Sequence, residues 1–314
     1  MQAITTDALV TEGSIPFIYQ GETYQTYYKV FGSLADRTTT SLVILHGGPG
    51  LSHDYLLPLS DLADTSIPVI FYDQIGNARS THLKSKPRTF WTIDLFIDEL
   101  ENVLRHFDIQ ENFSLLGHSW GGILASEFEV RRQPAGLRRL VITNSLAEAS
   151  LWVQSNAMLA QSFPKEVQEG LMAGMQNPKV YQTALKEFHS RHGCTIQPFP
   201  KELEYSLDSV FGDDGDATVA SAGSVPLSGT VVLARAHISY RILDNWSIIE
   251  RLHMVRVPTF VINGRKDIAQ DFVVAPFFQR IRQVKWVTFE QSSHTPFWEE
   301  REHYNRLVVE FLRS

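Results

Sequence analysis

Cysteine is nearly missing from this chain: Cys194 is the only one in 314 residues. With no second thiol there can be no intrachain disulfide, so the fold must rest on its hydrophobic core, in keeping with a reducing compartment. His189 and His192 lie close to Cys194 in sequence. A catalytic cysteine meets its histidine in space rather than along the chain, however, so Cys194 reads as a packed thiol. Clustered basic charge is also scarce. Lys and Arg total 28 against 35 Asp and Glu, for a formal charge of -7, and no basic run exceeds the pairs Arg131-Arg132 and Arg138-Arg139. Without a basic stripe to displace phosphate counterions, the pattern argues against a nucleic-acid partner. Long apolar runs are absent as well. Nothing approaches the roughly eighteen uninterrupted apolar residues that a membrane helix needs. Residues 1–13 hold neither Lys nor Arg nor a continuous apolar core. The expectation is a soluble, cytoplasmic protein with no membrane partner.

What is present is a repeating alternation. Short runs rich in Val, Ile and Leu occur at residues 42–45, 69–72, 113–116, 140–143, 259–263 and 284–289. Apolar on both faces, they suit a parallel sheet covered by helices on each side. Between them, residues 92–107 space Phe96, Leu100, Val103, Leu104 and Phe107 by three and four, with Asp98, Glu99, Glu101 and Arg105 on the other face. A second helix is expected from just after Ser119 to before Pro134. The pattern predicts a doubly wound α/β sheet, preceded by a hairpin of residues 15–19 and 23–30 around Gln20-Gly21-Glu22. From about 146 to 245 the strand rhythm stops. Helix-like stretches at 151–162 and 178–191 and a loop rich in small residues at 212–229 take its place. The domain reading is therefore a core of residues 1–145 and 246–314 with an inserted, mainly helical cap of residues 146–245. Asp213-Asp214-Gly215-Asp216 lacks the spacing and the twelfth-position glutamate of a calcium loop and reads as solvated.

Gly117-His118-Ser119-Trp120-Gly121 has the G-x-S-x-G pattern and lies between a strand and a helix, where such a turn lifts a serine hydroxyl to the edge of the sheet. A serine needs a base, and the base needs an orienting carboxylate; in this arrangement they follow in the order Ser, Asp or Glu, His. Asp267 stands just past the run 259–263 and His294 just past 284–289. Both fall at carboxyl ends of strands, where catalytic groups of open α/β sheets collect. Asp271 is the rival carboxylate, and His118 reads as a packing or polar-support residue. His46-Gly47-Gly48-Pro49-Gly50 follows the first parallel run and matches an oxyanion loop, with the backbone N–H groups of Gly48 and Trp120 as the expected donors. No cofactor or metal is called for.

These motifs resemble the proline iminopeptidase family of α/β-hydrolases, in the branch of the tricorn-interacting aminopeptidase and the amino-acid amidases. The likeness runs on from His46-Gly47-Gly48-Pro49-Gly50 through Leu51-Ser52-His53-Asp54-Tyr55-Leu56-Leu57, and includes Tyr72-Asp73-Gln74 and Gly117-His118-Ser119-Trp120-Gly121-Gly122. It extends to Phe188-His189-Ser190-Arg191-His192-Gly193-Cys194 with Pro200, and to Ser293-His294 leading into Trp298-Glu299-Glu300-Arg301-Glu302. The resemblance implies an α/β-hydrolase fold and release of an N-terminal residue, often proline, through an acyl-enzyme. It also implies acidic side chains for the substrate amine, one directly after the triad aspartate and one in an Asn-Gly-Pro-x-Glu-Phe type segment of the cap. Here Ile268 follows Asp267, and residues 230–245 lack that segment. Glu148, Glu202, Glu204 and Asp208 are the cap acids left to replace them. The family's turn after Tyr72-Asp73-Gln74 has glycine where this chain has Ala78.

The leading expectation is a serine hydrolase cleaving an amide or ester of a small molecule or short peptide. The alternative is an ester or lactone hydrolase, or an acyl-transferring or cyclising tailoring enzyme of secondary metabolism. A ligand-binding homologue without turnover is the third reading, which the intact motifs disfavour.

Overall fold

The computed structural model describes residues 9–174, 177–223 and 242–314. Strands β1 (Val10–Tyr19) and β2 (Glu22–Phe31) form the expected hairpin. Its turn places Gln20 at φ 50° and Gly21 at φ 82°, two positive values whose backbone twist matches that of the flanking strands. Then come β3 (Ser41–Leu45), β4 (Val69–Tyr72), β5 (Phe113–His118), β6 (Leu137–Thr143), β7 (Thr259–Gly264) and β8 (Val284–Phe289). The sheet order is β1-β2-β4-β3-β5-β6-β7-β8, antiparallel from β1 to β4 and parallel from β4 to β8. Strands β3, β4, β5 and β7 are buried throughout, whereas β8, expected to be apolar on both faces, fully buries only Phe289 because it forms the sheet edge.

Helices α1 (Ile93–His106) and α2 (Trp120–Arg132) follow β4 and β5. Between β6 and β7 lie α3 (Ala149–Ala160), α4 (Lys165–Ala173), α5 (Pro178–His192), α6 (Lys201–Phe211) and α7 (Thr218–Gly223). Helix α8 (Asp271–Arg280) follows β7, and α9 (Pro296–Glu299) and α10 (Arg301–Arg313) follow β8. Alternation along the strands divides the core into two layers. Val43, Leu45, Ile70, Leu115 and Val261 pack with α1, α2 and α8, while Leu42, Ile44, Phe71, Leu116 and Ile262 pack with α10. This is the α/β-hydrolase architecture.

The helices after β6 leave and rejoin the core at an isolated antiparallel bridge between Glu148 and Ser247. Ala149 N–H donates to the Trp246 carbonyl and Ile248 N–H to the Ala147 carbonyl, each at 3.0 Å. Of the stretch 212–229, expected to be a loop, residues 218–223 instead form α7, while residues 224–229 and most of the segment 230–245 lie outside the described residues. Within the described part, Asp213 and Asp214 are exposed, but Asp216 is buried and accepts from Thr218 while meeting His82 Nδ1 at 2.7 Å. The acidic run is thus only half solvated. Among the described residues no helix is long and apolar enough to cross a membrane.

Helix α1 begins where the sequence implies, with the Thr92 hydroxyl accepting the Leu95 N–H at 3.1 Å. One residue departs from its expected face. Glu99, grouped with the polar side, is fully buried, and accepts from the Thr26 hydroxyl at 2.5 Å and the Ile75 N–H at 3.0 Å. Burial raises its pKa from the usual 4.5 to about 8. The folded protein therefore holds a proton on Glu99 that the unfolded chain releases, so this group's contribution to stability is full below the unfolded value and is lost as pH rises toward about 8. Glu99→Gln should flatten that decline, and urea unfolding from pH 5 to 9 should show the variant gaining on the parent as pH rises.

Candidate active site

Ser119 occupies the step between β5 and α2 with φ 54° and ψ -118°, a conformation that a side-chain-bearing residue holds only under strain. The surroundings impose it. A Cβ on Gly121 would come within 2.0 Å of the Leu45 carbonyl oxygen, so β3 and the start of α2 can approach this closely only with glycine there. The Ser119 N–H donates to the Thr143 carbonyl at 3.0 Å, and the Ser119 carbonyl accepts the Ser145 hydroxyl at 2.7 Å. Trp120 opens α2, so its N–H belongs to the first turn, whose donors have no intrahelical acceptor.

Asp267 is fully buried just beyond β7, and its oxygens are occupied by separate segments. Oδ1 accepts from Ala269 N–H at 2.9 Å and from His294 Nδ1 at 2.6 Å, while Oδ2 accepts from Asn144 Nδ2 at 2.7 Å. The structure thus brings Asp267 and His294 together and leaves the rival apart. Asp271 is held by Arg265 at 2.6 Å and by Asn263 Nδ2 at 2.9 Å. Because Nδ1 of His294 donates to a carboxylate, Nε2 is left with its lone pair. The loop carrying His294 is pinned by Glu299, which accepts from Ser293 N–H, Ser293 Oγ and Thr195 N–H, each at 2.7 Å.

The loop His46-Gly47-Gly48-Pro49-Gly50 lies directly against the serine: a Cβ on Gly47 would sit 3.1 Å from Ser119 Cβ. Burial lowers the His46 pKa to about 4, so its ring is neutral. Nε2 accepts the Gln74 N–H at 3.0 Å, which leaves Nδ1 to donate to the Gly47 carbonyl at 3.0 Å. In a trans peptide the carbonyl and the following N–H point in opposite directions, so this bond also aims the Gly48 N–H. Gln74 further donates to the His46 carbonyl at 3.1 Å and accepts from Trp120 Nε1 at 2.8 Å. On the other side, Gly47 N–H donates to Tyr55 Oη at 2.7 Å, Tyr55 Oη lies 2.7 Å from His118 Nδ1, and His118 Nε2 lies 2.8 Å from the His294 carbonyl. The His118 and His294 rings are 4.6 Å apart. His118 therefore has a polar supporting place, as its position next to the turn suggested.

Asn144 went unmarked in the sequence, and Tyr55, Gln74 and Glu299 were named there only as parts of the resemblance, without these roles. Asn144 had a usable signal, since it directly follows β6 at a carboxyl end of the sheet. Ala78 adopts φ 45°, so the turn after β4 keeps a left-handed residue without glycine. Ile268 is buried in an apolar cluster with Phe163, Leu171, Leu185 and Phe188, and the half-buried Trp152 ring stands 5.7 Å from that of His294. Of the acids expected to offer a replacement, Glu148 meets the hydroxyls of Ser150 and Ser247, whereas Glu204 and Asp208 line a cleft of about 270 Å³ between α5 and α6. The segment around His189 and His192, part of the family resemblance, forms the end of α5. There His192 Nδ1 lies 2.8 Å from the Lys266 carbonyl, and burial with nearby His294 and His192 lowers the His189 pKa to about 4. Cys194 is a buried thiol, its pKa raised by burial.

Among the described residues, His53, Asp54 and Asp73 form the one group spaced to hold a metal ion. The Arg79 guanidinium already lies 2.8 Å from Asp54 and 3.4 Å from Asp73, and Asp73 is lowered to about 2 despite its burial, chiefly by His53. The site's charge is thus answered by protein groups.

A family model described as the alpha/beta hydrolase fold matches residues 40–301. Proline iminopeptidases from Thermoplasma volcanium and Clostridium botulinum are 31% and 30% identical to the chain, covering 92% and 97% of it and 93% and 99% of their own lengths. Among solved structures, VinJ superposes with a TM-score of 0.85 at 36% identity, and the proline iminopeptidase of Mycobacterium smegmatis with 0.80 at 33%. Each of these two covers 96% of this chain and is itself covered to 98%.

Removing the Asn144 amide leaves one oxygen of a buried carboxylate without that donor. Asn144→Ala should cost about 1.5–3 kcal/mol, the range for a hydrogen bond to a charged group, read from the midpoint of urea unfolding at constant slope.

Proposed function

The chain belongs to the α/β-hydrolase family, among the proline iminopeptidases, and from that premise we propose that Ser119, Asp267 and His294 act as nucleophile, orienting acid and base. The reaction is hydrolysis of an amide or ester bond in a small molecule or short peptide. The observation that carries this reading is the 2.6 Å contact from His294 Nδ1 to buried Asp267, which reserves Nε2 for the serine proton. Ser119 attacks the substrate carbonyl as its proton passes to Nε2. The oxyanion is held by the N–H groups of Gly48 and Trp120, His294 returns the proton to the leaving group, and water then releases the acyl group from Ser119. The insertion of residues 146–245 is read as a cap, its described helices packing on the loops that carry Ile268 and His294, and the single buried thiol supports a cytoplasmic setting.

Substrate choice is where this chain departs from the relatives' pattern. The residue after Asp267 is an isoleucine packed among aromatic and aliphatic side chains, which cannot balance an ammonium. Desolvating an ammonium without a carboxylate costs several kcal/mol. Ile268 therefore favours a second reading in which the acyl group is uncharged and the bond is an ester or lactone, with water or another nucleophile as acceptor.

A fluorophosphonate probe should label the protein, and Ser119→Ala should abolish labelling; an unlabelled parent protein overturns the proposal. Rates on a proline or alanine arylamide, its N-acetylated form and an aryl ester should separate the two readings. Preference for the free amine would mean that an acid of the cap takes the ammonium, whereas preference for the acetylated amide or ester would support the uncharged acyl group.

A further inference from the structure

We propose that Tyr55 and His118 are positioning residues that hold the oxyanion loop and the base in a single register, a proposal that rests on the triad reading above. The chain Gly47–Tyr55–His118–His294 admits one arrangement of protons. The His294 carbonyl can only accept, so His118 Nε2 carries a proton and donates to it across 2.8 Å. Burial, reinforced by His294 beside it, holds His118 well below the ordinary histidine range, and its ring is neutral. Nδ1 must therefore accept, Tyr55 must donate its hydroxyl proton to it, and the same oxygen accepts the Gly47 N–H. Burial pushes the Tyr55 phenol far above its usual range, so that proton stays in place.

The relay joins three separate segments: the loop after β3, the residue before Ser119 and the loop after β8. Its side chains have little freedom to rearrange. Phe297 packs edge-on against His118 at 5.2 Å and near Tyr55 at 6.1 Å, and Trp298 Nε1 donates to the Tyr55 carbonyl at 2.7 Å. His46 fixes the carbonyl of Gly47 and Tyr55 fixes its N–H, so the peptide bonds on both sides of Gly47 are restrained. The second of these bonds carries the Gly48 N–H. The far end of the relay holds the main chain of His294. During acylation, negative charge grows beside Gly48 and positive charge on His294, and the two must keep their separation while both develop. Tyr55 and His118 hydrogen-bond the main chain of Gly47 and of His294, not the Ser119 hydroxyl or the His294 ring nitrogens.

Tyr55→Phe removes one oxygen and leaves both the Gly47 N–H and His118 Nδ1 unpaired. Small misplacements of reacting groups cost up to about a hundredfold. On the aryl ester, kcat should fall on the order of tenfold to a hundredfold with KM little changed. A boronic acid that forms a tetrahedral adduct on Ser119 should lose affinity by the same factor, which a general loosening of the fold would not reproduce. His118→Asn keeps an acceptor near Tyr55 but cannot reach the His294 carbonyl, and should also lower kcat. Because the two residues are links of one chain, the double variant should lose less than the product of the single losses. If the parent turns over the ester but Tyr55→Phe keeps its kcat and boronate affinity, or the losses multiply independently, the relay is wrong and the triad stands. A parent that neither turns over nor binds the boronate overturns the triad reading itself. Should Tyr55→Phe fail to fold by circular dichroism, His118→Asn decides by the same two readouts.

Discussion

The buried carboxylate of Asp267 is the constraint around which the loops at the carboxyl edge are organised. A charge removed from water must have its lone pairs filled, and here the donors come from its own turn, from the end of β6 and from the loop after β8. Asn144 makes a second bond, to the Ser293 carbonyl at 3.2 Å, so the amide that satisfies the carboxylate also places the loop carrying His294. Meeting this one electrostatic requirement draws together segments that are 123 and 27 residues from Asp267 in sequence.

Close packing does the complementary work on the other side of the crevice. The strained turn at Ser119 persists because Gly121 lets α2 press against the end of β3, and that contact carries the His46–Gly50 loop to the serine. The surrounding polar groups are neutral histidines and hydroxyls rather than charges. Each such bond has a defined direction and no ionisation state to lose near neutral pH, as the lowered pKa of His46 illustrates. Rigidity of this kind suits a site that must stabilise charge as it develops rather than follow it.

The inserted helices contribute a different chemistry. Ile268 faces Phe163, Leu171 and Phe188, and Trp152 borders both that cluster and His294, so the region above the proposed base is largely apolar. Glu204 and Asp208 line the α5–α6 cleft together with His189. A fold shared with the relatives is thus joined in this chain to apolar side chains beside His294, and fold alone does not fix what such a surface recognises.

Much of the fold was legible in the sequence because its signals are local. Apolar runs marked the parallel strands, Gln20-Gly21 marked the hairpin, and Thr92 marked the start of α1. Ser119, Asp267, His294 and the Gly48 loop could be named because each follows a strand end. Glu99 could not be placed correctly: helical spacing describes one helix, while its burial comes from Thr26 and Ile75 in other elements. Asp267 and Asp271 were both eligible by order along the chain, and only the fold separated them, by giving one to His294 and the other to Arg265. Tyr55 and Glu299 stood in stretches that carry the resemblance and Asn144 at a strand end, but no role could be read for them because their partners are distant in sequence. The sequence by itself determined the order of strands and helices and which residues stand at the carboxyl ends of the strands, since periodicity and turn chemistry act over a few residues. Tertiary structure alone decided which carboxylate meets His294 and how the His46–Gly50 loop is held, because hydrogen bonds between remote segments exist only once the core has closed.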